Sequence, residues 1–504
     1  MLLYTPEAWV YMNFRYLQSG PVCAKIMQEA VNLIQRLLLE GRIMNKILYK
    51  LTESSLCLPE ERKIFSNADL KKLIVPLFLE QLLEVLVGVA DIFMVSYAGE
   101  AAVSGVSLVN MYNTVFLFLF SALAAGGAVV ISQYIGSGDK EQAGLSGGQL
   151  LMIAAVFSAA VMALSLLGNR QILRLLFGEV DADVMEACVT YLQISAYSYP
   201  AIAIYNAGAA MYRSMGKTRV TMYISLAANG INIVGNAVGV FVLKAGVAGV
   251  AWPSLIARTF SAIWILILCF RKKNQVVLRW RCILQWNGSM IRRILRIAVP
   301  NGVENGLFQL VKVALSSITA LFGTVQIAAN GVAQSFWSVA ALMGTALGLA
   351  FVTVIGQCMG AGDSEAAEYY MRKLLRVTVL ASVLWNALIL AAAPVVLQGY
   401  ALSEQAAELV LILILIHNLF NAVFYPFSGA LSNGLRAAGD VRFTMFVSLF
   451  STIGCRVVFS VIFAIWLDLG VIGIAFAMCL DWVIRAAFFW GRFCRGKWKT
   501  FQVI

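Results

Sequence analysis

The chain is short of charge, of histidine and of every pattern of paired cysteine. Charged residues fill 13% of its 504 positions and hydrophobic ones 61%, against about a quarter and about half in an ordinary soluble protein. That shortage excludes a string of soluble domains, although the length alone would suggest about three. A single histidine, His417, argues against histidine-based catalysis or metal clusters. The cysteines are nine, an odd number, and no two stand as C-x-x-C, so neither a disulfide framework nor a zinc site is expected. No complete G-x-x-x-x-G-K-[ST] phosphate loop occurs, so ATP is not the expected energy source. A net charge of +12 is dispersed among short loops, which fits nucleic acid poorly. No paired aspartates, His–Asp set or nucleophile motif lies in the apolar segments, so an embedded enzyme is not expected.

What is there is apolar length. The mean hydropathy is +0.81, and a bilayer is crossed by about 20 largely apolar residues. Apolar runs near 73–97, 105–135, 148–168, 188–212, 220–243 and 247–270 read as six spans. Six more follow near 297–321, 328–357, 374–398, 408–433, 443–467 and 470–491. Lysine and arginine gather on the cytoplasmic side of membrane proteins. With an inner N-terminus, 31 of the 38 basic residues fall inside and only Arg170, Arg174 and Lys244 outside. Arg258, Lys312, Arg456 and Arg485 lie within spans. The expectation is a multi-pass plasma (inner) membrane protein, all-α, with both termini cytoplasmic.

The expected domains are an N-terminal extension (1–66), a six-helix lobe (67–270), a basic linker (271–296), a second six-helix lobe (297–491) and a basic tail (492–504). Residues 23–51 carry an apolar stripe opposite basic residues, as an interfacial helix would. No basic segment ahead of an uninterrupted apolar core marks a signal peptide. The alternative for this region is an upstream start, with the working protein beginning near Met44. The end of the linker, NGSMIRRILRI, reads as a short interfacial helix.

The chain repeats itself. YRSMGKTRVTMYISL (212–226) matches LRAAGDVRFTMFVSL (435–449) at 7 of 15 positions, and ISQYIGSGD (131–139) matches IGQCMGAGD (355–363). Pro76 and Pro300, like Glu80 and Glu304, stand 224 residues apart. Gly136, Gly138, Gly360 and Gly362 are expected in tight turns. The R-x-x-G sequences Arg213–Gly216 and Arg436–Gly439 are expected as inner-face anchors. Two halves of six spans enter the membrane in the same sense, a parallel repeat of the kind that suits secondary transporters.

Asp91 stands deep in span one, where a carboxylate costs roughly 2.5–3.5 kcal/mol and marks an ion route more often than not. Desolvation favours its protonated form, so a proton, sodium or a cationic substrate would exchange there. The alternative is a helix-breaking or ion-paired structural role. Asn232 and Asn236 share one helix face. Their neutral oxygens suit a sodium shell with Asp91, or serve as polar glue between helices. In the second half Leu315 replaces the aspartate. Glu304, Lys312, Arg456 and Asp481 there form either a mutually satisfied charge network or a second coupling site. Glu80 and Glu84 lie near the inner interface. His417, beside Asn418 and Asn421, reads as a packing or interhelical hydrogen-bonding residue. Met94, Tyr112, Phe116, Phe336 and Trp337 either line an adaptable pocket for flat cations or sit in core and lipid-facing positions.

The proline opening span one, VADIFMVSYAG after it, the glycine-rich span two ending in ISQYIGSGD, and the duplicated R-x-x-G loops resemble the multidrug and toxic compound extrusion (MATE) family over about residues 70–490. The resemblance implies a twelve-helix, two-lobe antiporter that expels cationic amphiphiles against a proton or sodium gradient, without a cofactor, as a monomer. It also implies a cation site in the first lobe, at Asp91, Tyr191, Asn232, Asn236 and Ser254. Some relatives have an aspartate where Asn236 stands. The rival reading is a lipid-linked oligosaccharide flippase of the same architecture, which would show a more basic central cavity.

Overall fold

Apolar runs bounded by charge fold as helices, since helices satisfy every backbone group within one segment. The computed structural model describes Glu53, Leu56 and residues 58–504 apart from positions 98, 179, 180 and 401, and no strand occurs among them. Contacts divide the chain into Met1–Ser54 and Ser55–Ile504, and the architecture that follows is that of the second unit. The helix expected over 23–51 and the start near Met44 lie outside the described residues.

The first half contains Asn67–Ser96 (span one), Glu100–Gly136 (two), Lys140–Leu167 (three), Ala182–Tyr197 with Tyr199–Ser214 (four), Thr218–Ala237 (five) and Ala248–Cys269 (six). The second half begins with Gly288–Ala320 (seven), Thr324–Ala340 with Leu342–Gly360 (eight) and Ser364–Leu397 (nine). It ends with a run from Glu404 to Ala437 (ten), one from Val441 to Trp466 (eleven) and Gly470–Cys494 (twelve). Ten helices among the described residues are long and apolar enough to cross a membrane. The two expected spans outside that set have visible reasons. Span four is broken at Ser198, with Pro200 in the first turn of the new helix, where its missing N–H is no loss. Span seven is diluted by Asn301, Glu304, Asn305, Gln309 and Lys312.

The NGSMIRRILRI segment is not a separate interfacial helix. Asn287 caps it by accepting from the Met290 N–H at 3.0 Å, and the helix then runs unbroken into span seven. Nothing between Gly288 and Pro300 breaks the helix, and Pro300 is absorbed within it. Upstream, the linker is bolted to span three. Gln149 Nε2 donates to the carbonyls of Cys282 and Gln285 at 2.7 and 2.8 Å, and its Oε1 accepts from the Asn287 N–H at 2.9 Å.

The repeated ISQYIGSGD and IGQCMGAGD sequences are helix–turn–helix joints. Gly138 and Gly362 adopt left-handed backbone, φ 80° and 74°, which glycine enters without strain. Asp139 and Asp363 then cap the next helices, accepting from the N–H groups of Gln142 and Ala366 at 3.0 and 2.9 Å. Gly136 and Gly360, expected as turn residues, instead lie within helices and serve close packing. A Cβ on Gly136 would lie 2.0 Å from the Gln357 carbonyl oxygen, and one on Gly360 would lie 1.9 Å from that of Gln133. Spans two and eight thus press backbone to backbone at one end of the molecule.

That end also carries the linker, the R-x-x-G loops and the C-terminus, and is termed the basic face. Reciprocal hydrogen bonds seal the two halves there. Gln133 Nε2 donates to the Ala437 carbonyl and Gln357 Nε2 to the Ser214 carbonyl, both at 2.7 Å. The Thr353 hydroxyl donates to the Arg213 carbonyl at 3.0 Å. Ahead of span one, Arg62 reaches the second half, pairing with Asp363 at 2.6 Å and Glu365 at 2.8 Å. The guanidinium holds the Asp363 carboxyl below the ordinary carboxylate range. The Phe65 N–H donates to Tyr370 Oη at 2.8 Å. Most apolar core residues on the basic-face side of both lobes merge into one cluster, while smaller clusters fill each lobe separately farther from that face.

Candidate functional site

Span five places Asn232 and Asn236 one turn apart, facing span one on one side and span six on the other. Four of the five expected first-lobe residues join in one hydrogen-bonded chain. Asn236 Nδ2 donates to Asp91 Oδ1 at 2.7 Å and to Asn232 Oδ1 at 3.2 Å. Asn232 Nδ2 in turn donates to Ser254 Oγ at 2.9 Å. Asn236 is wholly buried, and its Oδ1 has no hydrogen-bond partner among the described residues. An orphaned buried acceptor costs about 1–3 kcal/mol, so this oxygen is primed for a cation or a proton donor. A π-helical turn, Val238–Val242, follows directly, a feature that often attends functional sites.

Tyr191 stands apart from this chain. It is buried, and its hydroxyl donates to Asn110 Oδ1 at 3.3 Å, although the Asp91 charge reaches it. One neighbour was read from the sequence as an intramembrane charge but not as part of this site. Arg258, one turn beyond Ser254 on span six, acts electrostatically on both Asp91 and Tyr191. It forms no ion pair with Asp91; its guanidinium donates instead to Ser198 Oγ, at the break in span four, at 2.8 Å. The spacing 254, 258 on one helix face was the available signal.

The donor set is one carboxylate, two amides and a hydroxyl, which are oxygen ligands suited to a hard monovalent cation or a proton and unsuited to zinc or copper. No group of three or more His, Cys, Asp or Glu side chains among the described residues forms a metal cluster.

The four charges singled out in the second lobe do not form a closed network. Glu304 pairs with Arg436 at 2.7 Å. Asp481 pairs with Arg485 at 2.7 Å and accepts a short hydrogen bond from Ser451 Oγ. Partners supplied by the R-x-x-G loop and by the next turn of span twelve lie closer than those assumed from spans seven and eleven. Arg456 is left without an ion pair among the described residues. It is 5% exposed, its Nε lacks a partner, and it lies 5.1 Å from the Phe308 ring centroid. Lys312 likewise has no ion pair there, and Arg456 acts on it as a like charge. Leu315 is buried in the small apolar cluster of this lobe. His417 is 2% exposed, and neither ring nitrogen has a partner among the described residues. It packs 6.5 Å from the Trp482 ring.

Both R-x-x-G loops anchor a span-one-type helix. Arg213 pairs with Glu80 at 2.6 Å, and the Thr221 hydroxyl donates to the other Glu80 oxygen at 2.8 Å. In the second lobe Arg436 donates to both Glu304 oxygens at 2.7 Å and to Thr444 at 3.4 Å. Arginine, glutamate and threonine occupy equivalent places in the two repeats. Among the described residues Glu84 is bonded only locally, to Gln81 at 3.1 Å. The aromatic and Met residues read as pocket candidates are packed within lobes. Met94 is buried, Tyr112 bonds Ser165 at 2.8 Å and meets Phe116 edge to face, Phe336 packs against a second-lobe cluster and Trp337 stacks on Trp482.

The MatE family model matches residues 76–238 and again 300–462, one copy on each repeat. The chain is 27% identical to the uncharacterized transporter YisQ of Bacillus subtilis, over 84% of its own length and 93% of that protein's. It is 22% identical to the probable multidrug resistance protein NorM of Thermotoga maritima, over 89% and 96%. Its fold superimposes on the outward-facing conformation of a multidrug resistance MATE family transporter with a TM-score of 0.79 at 21% identity, covering 85% of this chain and 96% of the other. Two family domains covering most of the chain, on a duplicated all-helical membrane fold, make it a member of the multidrug and toxic compound extrusion family of transporters.

Proposed function

We propose that the chain is a secondary antiporter that exports organic cations and cationic amphiphiles in exchange for protons or sodium. Five residues form the coupling site: Asp91 carries the ion, Asn232, Asn236 and Ser254 line its shell, and Tyr191 borders it. The observation that carries this reading is the buried chain from Asp91 through Asn236 and Asn232 to Ser254, with Asn236 Oδ1 left as a free acceptor. The seal between spans two and eight corresponds to a state closed on the basic face; the charge bias supports reading that face, and both termini, as cytoplasmic, in a chain placed by this reading in the plasma membrane.

The cycle follows from differential affinity. Asp91 cannot neutralise a drug cation and a coupling ion at once, so uptake of the ion displaces the drug on the open side. The loaded lobe then closes outside and opens inside, where the ion leaves and drug binds. Arg258 opposes a permanently bound cation, because its charge adds to the cost of any positive occupant of Asp91. No nucleotide, nucleic acid or second chain enters the cycle.

The test is ethidium efflux from liposomes holding purified protein, driven separately by a pH gradient and by a sodium gradient. Asp91→Asn is expected to abolish efflux under whichever gradient drives the wild type. Wild-type efflux by the variant would remove Asp91 from the mechanism. A second reading, transport of a lipid-linked oligosaccharide, is favoured by Arg456, a buried cation without an acid partner among the described residues, with Lys312 near it. Translocation of a fluorescent diphosphate-linked lipid by the same liposomes, lost in Arg456→Gln and intact in Asp91→Asn, would establish it.

A further inference from the structure

The basic face holds a cavity that the antiport cycle does not use. About 630 Å³ of space is lined by Trp286, Ile291, Arg292, Leu295, Arg296 and Arg442. A second cavity of about 300 Å³ shares Arg296 and Arg442 with it and extends to Phe443 and the C-terminal residues Phe501–Val503. Three guanidiniums thus converge from two elements: Arg292 and Arg296 from the start of span seven, and Arg442 from the start of span eleven. None of the three makes an ion pair among the described residues. The acid bordering the smaller cavity, Asp440, is already neutralised by Arg492 at 2.6 Å. Guanidiniums match phosphate oxygens in two-pronged geometry.

What lies above the arginines selects the ligand. Along span seven, residues 292, 296, 299, 303, 306 and 310 recur at helical spacing on one face. Val299, Val303 and Leu310 on it are 55%, 43% and 66% exposed, and a Cβ on Gly306 would meet nothing within 4 Å. Span eleven repeats the arrangement above Arg442, with Phe446, Phe450 and Ile453 exposed. Spans seven and eleven pack against each other. Trp286, which lines the cavity, is 70% exposed, as indoles are at the headgroup level of a bilayer. A soluble phosphate would use the arginines and leave both apolar tracks idle. A phospholipid uses all of it.

We propose that this cavity binds an anionic phospholipid of the adjoining leaflet. Its phosphodiester sits among Arg292, Arg296 and Arg442, and its acyl chains lie along the exposed faces of spans seven and eleven. Basic pockets between helices at this depth are the usual recognition sites for such headgroups. Lipid held there tethers the linker end of span seven to the R-x-x-G loop of the second lobe and to the C-terminal residues.

The test measures thermal unfolding of the full chain in a neutral detergent. Added phosphatidylglycerol is expected to raise the midpoint saturably, as a ligand specific for the folded state must. Phosphatidylcholine with the same chains, inorganic phosphate and short-chain dihexanoyl phosphatidylglycerol are expected to raise it little. The combined Arg292→Gln, Arg296→Gln and Arg442→Gln variant should lose the phosphatidylglycerol effect. The combined Arg271→Gln, Lys272→Gln and Lys273→Gln variant, which removes three charges from the linker outside both cavities, should keep it. If the triple variant fails to fold, Arg296→Gln alone is read, since this residue lines both cavities, and a weaker response is expected. Equal stabilisation by phosphatidylcholine, or an unchanged response in the arginine variants, overturns the proposal. Equal stabilisation by phosphate or the short-chain lipid replaces the phospholipid with a soluble phosphate ligand.

Discussion

At the residue scale, a buried charge is defined by its partner, and sequence finds the charge more readily than the partner. Asp91 was legible because a lone acid interrupts an apolar run, and Asn232 and Asn236 because they share a helix face. Glu304 was visible for the same reason, yet Arg436 lies 132 residues away in a different span. Only the equivalence of the repeats, Glu80 with Arg213 and Glu304 with Arg436, points to that partner. The pair in the first lobe makes a clean test. Glu80 is 4% exposed, so Glu80→Leu leaves Arg213 without its counter-charge, and breaking such a pair costs about 3–5 kcal/mol. Partial exposure of the Arg213 side chain, 20%, places the expected loss at the lower end. Removing both charges with Glu80→Leu and Arg213→Met should cost less than Glu80→Leu alone, because no buried charge is then left unpaired. Denaturant unfolding in detergent reads the difference. A double variant less stable than the single one would mean that Arg213 matters for contacts other than this pair.

At the scale of elements, the helices followed from hydropathy, whereas their continuity and their crossings did not. The break at Ser198 left a faint trace in Pro200, and the fusion of the linker's end with span seven left none, since Arg292, Arg293 and Arg296 are good helix formers with no local preference for stopping. Glycine was the most misleading signal. Gly138 and Gly136 look alike in ISQYIGSGD, but the first takes left-handed backbone and the second is a point of helix contact. The distinction depends on span eight, which no local pattern contains. Gln133 and Gln357 carried a usable clue, the same amide at the same place in both repeats within apolar surroundings. A Cβ on Gly136 would fall 2.0 Å from backbone oxygen rather than from a side chain that can swing away. Gly136→Ala is therefore expected to force spans two and eight apart and weaken both glutamine bonds. Amide hydrogen exchange over residues 129–137 should quicken in the variant, while Gly138→Ala, with open space around its Cβ position, should leave the span-two–span-eight contact intact. Unchanged protection in Gly136→Ala would show that the helices are not held at this point.

At the scale of the whole molecule, duplication has kept the scaffold and released the chemistry. Joints, caps, clasps and the glutamine seal occur twice, whereas the proposed coupling carboxylate occurs once. Leu315 fills the equivalent place in an apolar cluster, and the acids of the second lobe, Glu304 and Asp481, are already paired with Arg436 and Arg485. A single carboxylate that binds either one drug cation or one coupling ion fixes the charge balance of the proposed exchange at one positive charge each way. Moving one net charge across 100 mV is worth about 2.3 kcal/mol, roughly a fifty-fold bias in the steady-state drug gradient. An electroneutral exchange forgoes that bias. Efflux of a monovalent cation should therefore follow the pH or sodium gradient and stay nearly indifferent to a potassium diffusion potential imposed with valinomycin. Measured in the same liposomes, a drug gradient that scales with the potential would demand a second titrating group beyond Asp91, and Glu84, which has no ion pair among the described residues and bonds only Gln81, is the first place to look for it.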